Sequence, residues 1–388
     1  MINYKSLLVK NSINYPDIKR GLDIVSDYIK KNRLILVGGM AIDYALRLKG
    51  DSIYDEFEIP DYDMYSADNY QDAINIGKLL CEANLPNISI IRGFHMSTMR
   101  VRVNFEPVAD ITYCPKSVFD RIPTLTYEKF LIIHPLFQYI DQHNALAYPY
   151  RNPQWGGNIF RWKKDIKRLE LLQSYYPIPT NNEQREIETL EFDLMLLTNL
   201  CIGGYAAHSI LSGDYSIKKN KLILDLLKRE FMVYTNDFIE TIKTWEKYFK
   251  TNAIYYNAYL TQLPRYAVIT NENVLYIIVD NQNEYLASVT IDNINVCGVN
   301  CILLYYLQIQ EYHGYNLAKQ IKLDYHFPIS YYGTNNKPET VEFNEKLFDN
   351  PMENNLVPKN LYPKKEMCEI SSSFLYDSIY FQLDGGLS

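Results

Sequence analysis

The sequence predicts an α+β fold, a compact core followed by a second α+β domain, and three observations carry that prediction. The first is a strand–turn–helix. Leu34 to Val37 is an apolar run of strand length, Gly38-Gly39 is a tight turn, and Met40 to Leu48 has helical apolar spacing. The second is an alternation. Met99, Val101, Val103 and Phe105 alternate with Arg100, Arg102 and Asn104, the period of a half-buried strand. The third is an echo. Asn199 to Leu211 repeats the layout of Leu34 to Leu46, with a Gly-Gly between an apolar stretch and an Ala-containing helical one. On that pattern residues 190–330 are a degenerate copy of the first fold. Chance likeness of two short βα turns is the competing reading.

Residues 1–33 form a short lead and a helix. Pro16 suits a helix start, and Ile18, Leu22, Val25 and Ile29 share one face. The segment Ile59-Pro60-Asp61-Tyr62-Asp63-Met64-Tyr65 then places two carboxylates two residues apart among β-formers. On a strand they point to the same face, where mutual repulsion raises a pKa or demands a cation. A hard divalent ion with oxygen ligands answers that demand, although an Asp-x-Asp pair also occurs in turns and solvated loops.

An amphipathic helix, about Asp68 to Ala83, carries Ala73, Ile76, Leu80 and Ala83 as its stripe. Short strands follow at Ile88–Ile91, Met99–Phe105 and Val108–Tyr113, with Glu106-Pro107 as a turn. Asp110 lies in an otherwise apolar run, where an unpaired carboxylate is costly. Sharing metals with Asp61 and Asp63 removes that anomaly. Gly38-Gly39 puts bare backbone N–H groups at a helix N-terminus, an anion site suited to a triphosphate. The alternative is a plain βα turn in which glycine relieves crowding.

Strand, Gly-Gly, helix, Asp-x-Asp strand, helix, strand with a third Asp: this order resembles the polymerase β nucleotidyltransferase superfamily. Met99–Phe105, Ala109–Tyr113, Ile140-Asp141 to Tyr148-Pro149, and Phe160–Lys164 through Arg168-Leu169 narrow the match. They resemble the poly(A) polymerase catalytic subunits of large nucleocytoplasmic DNA viruses, the giant-virus type in particular. The resemblance covers about Leu34 to Pro177. It implies a polymerase β-like nucleotidyltransferase core and template-independent transfer of AMP from ATP to RNA 3′ ends. It also implies Asp61, Asp63 and Asp110 as ligands of Mg2+, with Mn2+ as a substitute, and Gly38 and Gly39 as a backbone grip on the β- and γ-phosphates. One departure is plain. Many superfamily members have Gly-Ser at the turn, where the hydroxyl touches a phosphate; here it is Gly-Gly. The giant-virus branch further implies a homodimer in the cytoplasm, in a viral factory or virion. Two rivals stand beside this reading: another nucleotidyltransferase (an oligonucleotide-signal synthase or a tRNA end-adding enzyme), and a non-catalytic RNA-binding subunit.

Composition sets the bounds. A chain of 388 residues with 47% hydrophobic content accommodates two or three cored domains. The N-terminus does not read as a signal peptide, and no apolar run is long enough to span a membrane. The six cysteines are scattered, and Cys297-x3-Cys301 lacks a second ligand pair for zinc. A net charge of −7 argues against a protein that coats nucleic acid non-specifically. RNA contacts would have to use local basic patches.

The domains are read as 1–33, then 34–180 as catalytic domain with its closing helix, then 181–388. Residues 127–150 read as an irregular, aromatic wrap. The helix from about Ile159 to Tyr175 presents Arg161, Lys164 and Arg168 on one stripe. Arg161 and Lys164 serve either as contacts to triphosphate or primer phosphates, which the viral resemblance favours, or as a solvated basic face. Pro177 to Asn182 reads as a linker, with a long helix from about Glu183 to Leu200. Ile217 to Phe249 reads as one or two helices whose lysines, with Tyr215 and Tyr234, offer a second basic patch or a solvated face. Val274–Val279 and Ala287–Ile291 read as partner strands, Val299–Tyr312 as a buried helix, and 331–365 as extended loop.

Overall fold

Leu34 to Val37 is buried along its whole length, and the first sheet is built around it. The computed structural model describes residues 13–54, 60–93, 97–148, 161–179, 186–256, 264–282 and 286–321. The N-terminal lead, the second half of the linker and the loop at 331–365 lie outside the described residues. Strand β1 (Ile35–Leu36) runs antiparallel to β2 (Tyr62–Ser66) and parallel to β7 (Phe130–Ile133). With β3 (Ser89–Arg92), β4 (Thr98–Val103), β5 (Glu106–Tyr113) and β6 (Thr124–Tyr127), the order is β3-β4-β5-β2-β1-β7-β6. Helices α1 (Tyr15–Asn32), α2 (Gly38–Arg47) and α3 (Asn69–Glu82) accompany it, and a single turn α4 (Lys116–Phe119) follows β5.

The apolar stripes are buried except at Leu22 and Ala83, which are half-buried. Val25 and Ile29 of α1 and Ala73, Ile76 and Leu80 of α3 are fully buried, as are Val101, Val103 and Val108 of the sheet. Each large side chain so buried contributes roughly 1.5–3 kcal/mol. A Cβ at Gly21 would stand 3.0 Å from Val103, so α1 crosses the sheet closely there. Asp68 begins α3 by accepting a hydrogen bond from the Gln71 N–H at 3.2 Å, a standard N-cap.

The described chain divides into two compact units. One holds the residues up to Gln138 with Lys167–Pro177, and the other holds Tyr139–Ile166 and the chain from Ile178. Helices α5 (Pro135–Ala147) and α6 (Arg161–Tyr175) each contribute residues to both.

The second unit repeats the topology of the first. Its strands are β8 (Glu188–Asp193), β9 (Cys201–Gly203), β10 (Tyr215–Lys218), β11 (Lys221–Leu226), β12 (Glu230–Thr235), β13 (Ile254–Tyr256), β14 (Tyr266–Asn271), β15 (Val274–Asp280), β16 (Ser288–Ile291) and β17 (Ile294–Cys297). Its helices are α7 (Gly204–Ser212), α8 (Phe238–Phe249), α9 (Val299–Gln308) and α10 (Tyr312–Ala318). The main sheet has the order β13-β14-β15-β12-β9-β17-β16. Strand β9 is antiparallel to β12 and parallel to β17, and β12 is parallel to β15, the same directions as β1, β2, β7 and β5. Helices α2 and α7 each start with a glycine in the left-handed region, Gly38 at φ 62° and Gly204 at φ 56°. The topology therefore recurs, but one residue out of step with the sequence echo: Gly204, not Gly203, stands at the place of Gly38. A small sheet, β10-β11-β8, is added to the second copy.

Several expectations are corrected. The long helix expected from Glu183 is instead strand β8 and a short 3-10 turn, Leu194–Leu197. Residues 217–235, expected helical, form β10, β11 and β12. In β11, Leu222, Leu224 and Leu226 are buried and alternate with Lys221, Ile223 and Asp225, a strand period. Residues 124–147 are ordered as β6, β7 and α5 rather than an irregular wrap. The turn before β5 sits at Asn104-Phe105, both at positive φ, and Glu106-Pro107 already belongs to the strand. Strand β15 pairs with β14 and β12, while β16 pairs with β17.

One consequence for stability arises in α5. Burial pushes the Asp141 carboxyl up to about 6. A folded pKa above the unfolded value near 3.9 means that this group's contribution is whole below about pH 4 and is lost as pH rises through 6. Asp141→Asn is therefore expected to stabilise the protein by about 1–3 kcal/mol at pH 7.5 and by nothing at pH 4. Thermal melts of both proteins at the two pH values check this.

Candidate active site

Strands β4, β5 and β2 lie side by side at the site. Asp63 is the second residue of β2, and its register partner on the parallel strand β5 is Asp110. Asp61 stands two residues before Asp63, just ahead of β2, so the pair shares a face. One carboxylate oxygen from each of Asp61, Asp63 and Asp110 lies within 4.8 Å of the other two. Asp110 is buried, and Asp61 and Asp63 are half-buried. Three anionic oxygen ligands this close repel one another unless cations intervene. The donor set is hard oxygen throughout, and it fits Mg2+ or Mn2+.

The glycine turn abuts this trio. The Val37 N–H donates to the Asp63 carbonyl at 3.0 Å, which fixes the turn against β2. A Cβ on Gly38 would stand 2.7 Å from Asp63 Oδ2. Glycine is therefore required twice here, by the φ of 62° and by the carboxylate. Helix α2 begins at Gly38 with no side-chain cap on Val37, so its leading N–H groups point out of the turn.

At Gly39 a Cβ would collide with the Tyr54 hydroxyl, at 2.0 Å, and the Arg168 guanidinium, at 2.6 Å. Arg168 Nη2 donates to the Tyr54 hydroxyl at 2.8 Å. Buried Asp43 holds Tyr54 in place. Its Oδ1 accepts the N–H groups of Ile53 and Tyr54 at 2.9 and 3.0 Å, and its Oδ2 accepts from Arg47 Nε at 2.6 Å. The Tyr176 hydroxyl donates to the Ala45 carbonyl at 2.6 Å, tying the end of α6 to α2. A fixed guanidinium thus stands at the start of α2.

Arg161 and Lys164 occupy the first turns of α6, which group with the second unit. Lys164 is exposed, and the Arg161 side chain lies outside the described residues. Among the described side chains, Arg168, a turn further on, is the basic residue of this helix that meets the glycine turn. Its stripe was visible in the sequence, but its contact was not. Arg100 gave even less signal. It pairs with Asp110 across β4 and β5, donating from Nε to Oδ1 at 2.7 Å and from Nη2 to Oδ2 at 2.5 Å. That bond and the nearby Asp61 and Asp63 raise the Arg100 pKa further. Tyr54 and Asp43 carried no signal, because their role depends on where a loop folds back.

The second copy lacks this chemistry. Gly204 matches Gly38, and Gly203 pairs with Met232 where Val37 meets Asp63. The register then sets Glu230, Met232 and Ile277 at the places of Asp61, Asp63 and Asp110. Val268 takes the place of Arg100. Glu230 accepts a hydrogen bond from the Tyr305 hydroxyl. One carboxylate remains of three.

The family model of the poly(A) polymerase catalytic subunit matches residues 23–152. A relative in African swine fever virus, named for that subunit, is 41% identical over 208 residues, 54% of this chain and 44% of the relative. One in Acanthamoeba polyphaga mimivirus, named likewise, is 27% identical over 168 residues, 43% of this chain and 28% of the relative. The chain therefore spans less than half the length of these viral relatives. The fold is that of the Megavirus polyadenylate synthase, with a TM-score of 0.62 at 17% identity over 89% of this chain and 72% of that one. The chain is similar to the proteins named for the poly(A) polymerase catalytic subunit in African swine fever virus and Acanthamoeba polyphaga mimivirus, and residues 23–152 are the part that matches that subunit's family model.

Proposed function

We propose that this protein adds AMP from ATP to RNA 3′ ends without a template. The observation that carries this is the convergence of Asp61, Asp63 and Asp110 beside the Gly38-Gly39 turn. In this reading the three carboxylates would hold two Mg2+ ions, or Mn2+ in their place. Such ions supply Lewis-acid stabilisation of the entering and leaving oxygens. The chain's own residues do the rest. Gly38 and Gly39 let the first N–H groups of α2 face the β- and γ-phosphates. Arg168, oriented by Tyr54, offers a guanidinium to the same phosphates. Asp110 would favour deprotonation of the attacking 3′-hydroxyl. Arg161 and Lys164 contact triphosphate or primer phosphates further out.

The giant-virus resemblance supports a homodimer working in a viral factory or virion. Among the described residues no helix is long and apolar enough to cross a membrane. Light scattering on the purified protein reads the oligomeric state directly.

Extension of a short labelled RNA with Mg2+ and each nucleotide triphosphate separately tests the activity. A long ladder with ATP alone is expected. ATP turnover without RNA would move the assignment to an oligonucleotide synthase. Arg168→Ala is expected to raise the KM for ATP by about 10- to 100-fold, the range of one lost charge-assisted hydrogen bond, with a smaller change in kcat. An unchanged KM would remove Arg168 from the phosphate site.

A further inference from the structure

Asp110 is claimed twice. As a metal ligand it must offer an oxygen to a cation, yet both its oxygens already accept hydrogen bonds from Arg100. The contact is a fork, Nε to one oxygen and Nη2 to the other, and the pair is sheltered, with side-chain exposures of 26% for Arg100 and 12% for Asp110. A guanidinium in this position is a fixed cation at the edge of an acidic trio. It offsets part of the repulsion among Asp61, Asp63 and Asp110.

The second copy acts as an internal control. Where Ile277 replaces Asp110, Val268 replaces Arg100. The sheet itself therefore does not need an arginine at that place. The basic residue accompanies the carboxylate.

We propose that Arg100 is the resident counter-ion of the metal site: it holds Asp110 when no divalent ion is bound and yields at least one carboxylate oxygen when one binds, so that it sets divalent-ion affinity. This rests on the metal-site reading given above. Arg100 is a positioning residue, because it acts through Asp110. Its charge competes with the incoming cation, and its fork keeps the trio from splaying apart beforehand. Two opposite consequences follow from one removal. Without Arg100 the metal-free protein is less stable, and the metal binds more tightly.

The test is Mn2+ titration by calorimetry on the full chain, with no nucleotide, comparing wild type, Arg100→Met and Arg100→Lys. Arg100→Met is expected to bind Mn2+ about tenfold more tightly. Its melting temperature without metal falls below that of wild type, and the gap narrows as Mn2+ is added. Arg100→Lys keeps the charge and stays within about threefold of wild type in affinity. Equal or weaker Mn2+ binding by Arg100→Met overturns the proposal and leaves Arg100 as a brace for Asp110. Absence of Mn2+ binding by wild type itself overturns the metal site and this proposal together, whereas normal wild-type binding with an unaltered variant overturns only this one. Should Arg100→Met fail to fold, the Nε–H resonance of Arg100 in wild type answers the same question. It is expected to shift and to exchange faster on adding Mg2+, and a resonance unmoved at saturation overturns the proposal.

Discussion

Replacing Asp61 and Asp63 together by Ala is expected to lower RNA extension by at least ~10³-fold. The fold is expected to survive. Both side chains are half-buried, and the residues that hold β2 in the core are Met64 and Tyr65, which are untouched. Removing two of three clustered carboxylates also relieves repulsion, so the metal-free double variant should melt at or above the wild-type temperature. The diagnostic difference is linkage. Mg2+ should raise the wild-type melting temperature and leave that of the variant in place, because a ligand stabilises only a state that binds it. Retained extension by a folded variant would sink the active-site assignment.

The second large effect is expected from Gly38→Ala. The residue stands at φ 62°, where a side chain costs about 1–2 kcal/mol. Its Cβ would also stand 2.7 Å from Asp63 Oδ2, and something must move. The Asp63 side chain is the softer element, so a carboxylate of the proposed metal site is displaced. Misplacing a reacting group by about 1 Å can cost about 10²-fold, and a loss of that size in kcat is expected here. Gly204→Ala is the matched comparison. Its φ is nearly the same, but its nearest neighbour is Met232 Cβ at 3.3 Å, with no carboxylate nearby. It should lose similar stability and little activity. Equal activity losses in the two variants would mean that the backbone strain alone, and not the carboxylate contact, is responsible.

The site was legible where its information is local. Asp61 and Asp63 share a face because strand residues two apart always do. Gly38-Gly39 signals a turn because glycine alone adopts that backbone cheaply. Asp110 stood out because a carboxylate in an apolar run needs a partner. Arg100 and Arg168 were hidden for the opposite reason. Nothing between residues 100 and 110 states which residue of β4 faces Asp110 on β5, and the turn at Asn104-Phe105 with the register shift after Val101 decides it. Arg168 meets Tyr54 across 114 residues of chain.

The misread elements follow the same division. Residues 217–226 carry lysines that favour helix on propensity, yet Leu222, Leu224 and Leu226 are buried as a strand against β8. Pairing between distant segments overrode the local preference. The long helix expected from Glu183 failed likewise, since β8 is held in a sheet by its pairing with β11.

By itself the sequence determined the first unit's strand–turn–helix, the Asp-x-Asp pair and the apolar stripes of α1 and α3. These depend on neighbours within a few residues, and periodicity records them. Tertiary structure alone decided that Asp110 lies opposite Asp63, that Arg100 grips it, and that the second sheet repeats the first while keeping only Glu230 of the three acidic positions. Strand register is a property of pairs of segments far apart in the chain, and no local pattern specifies it.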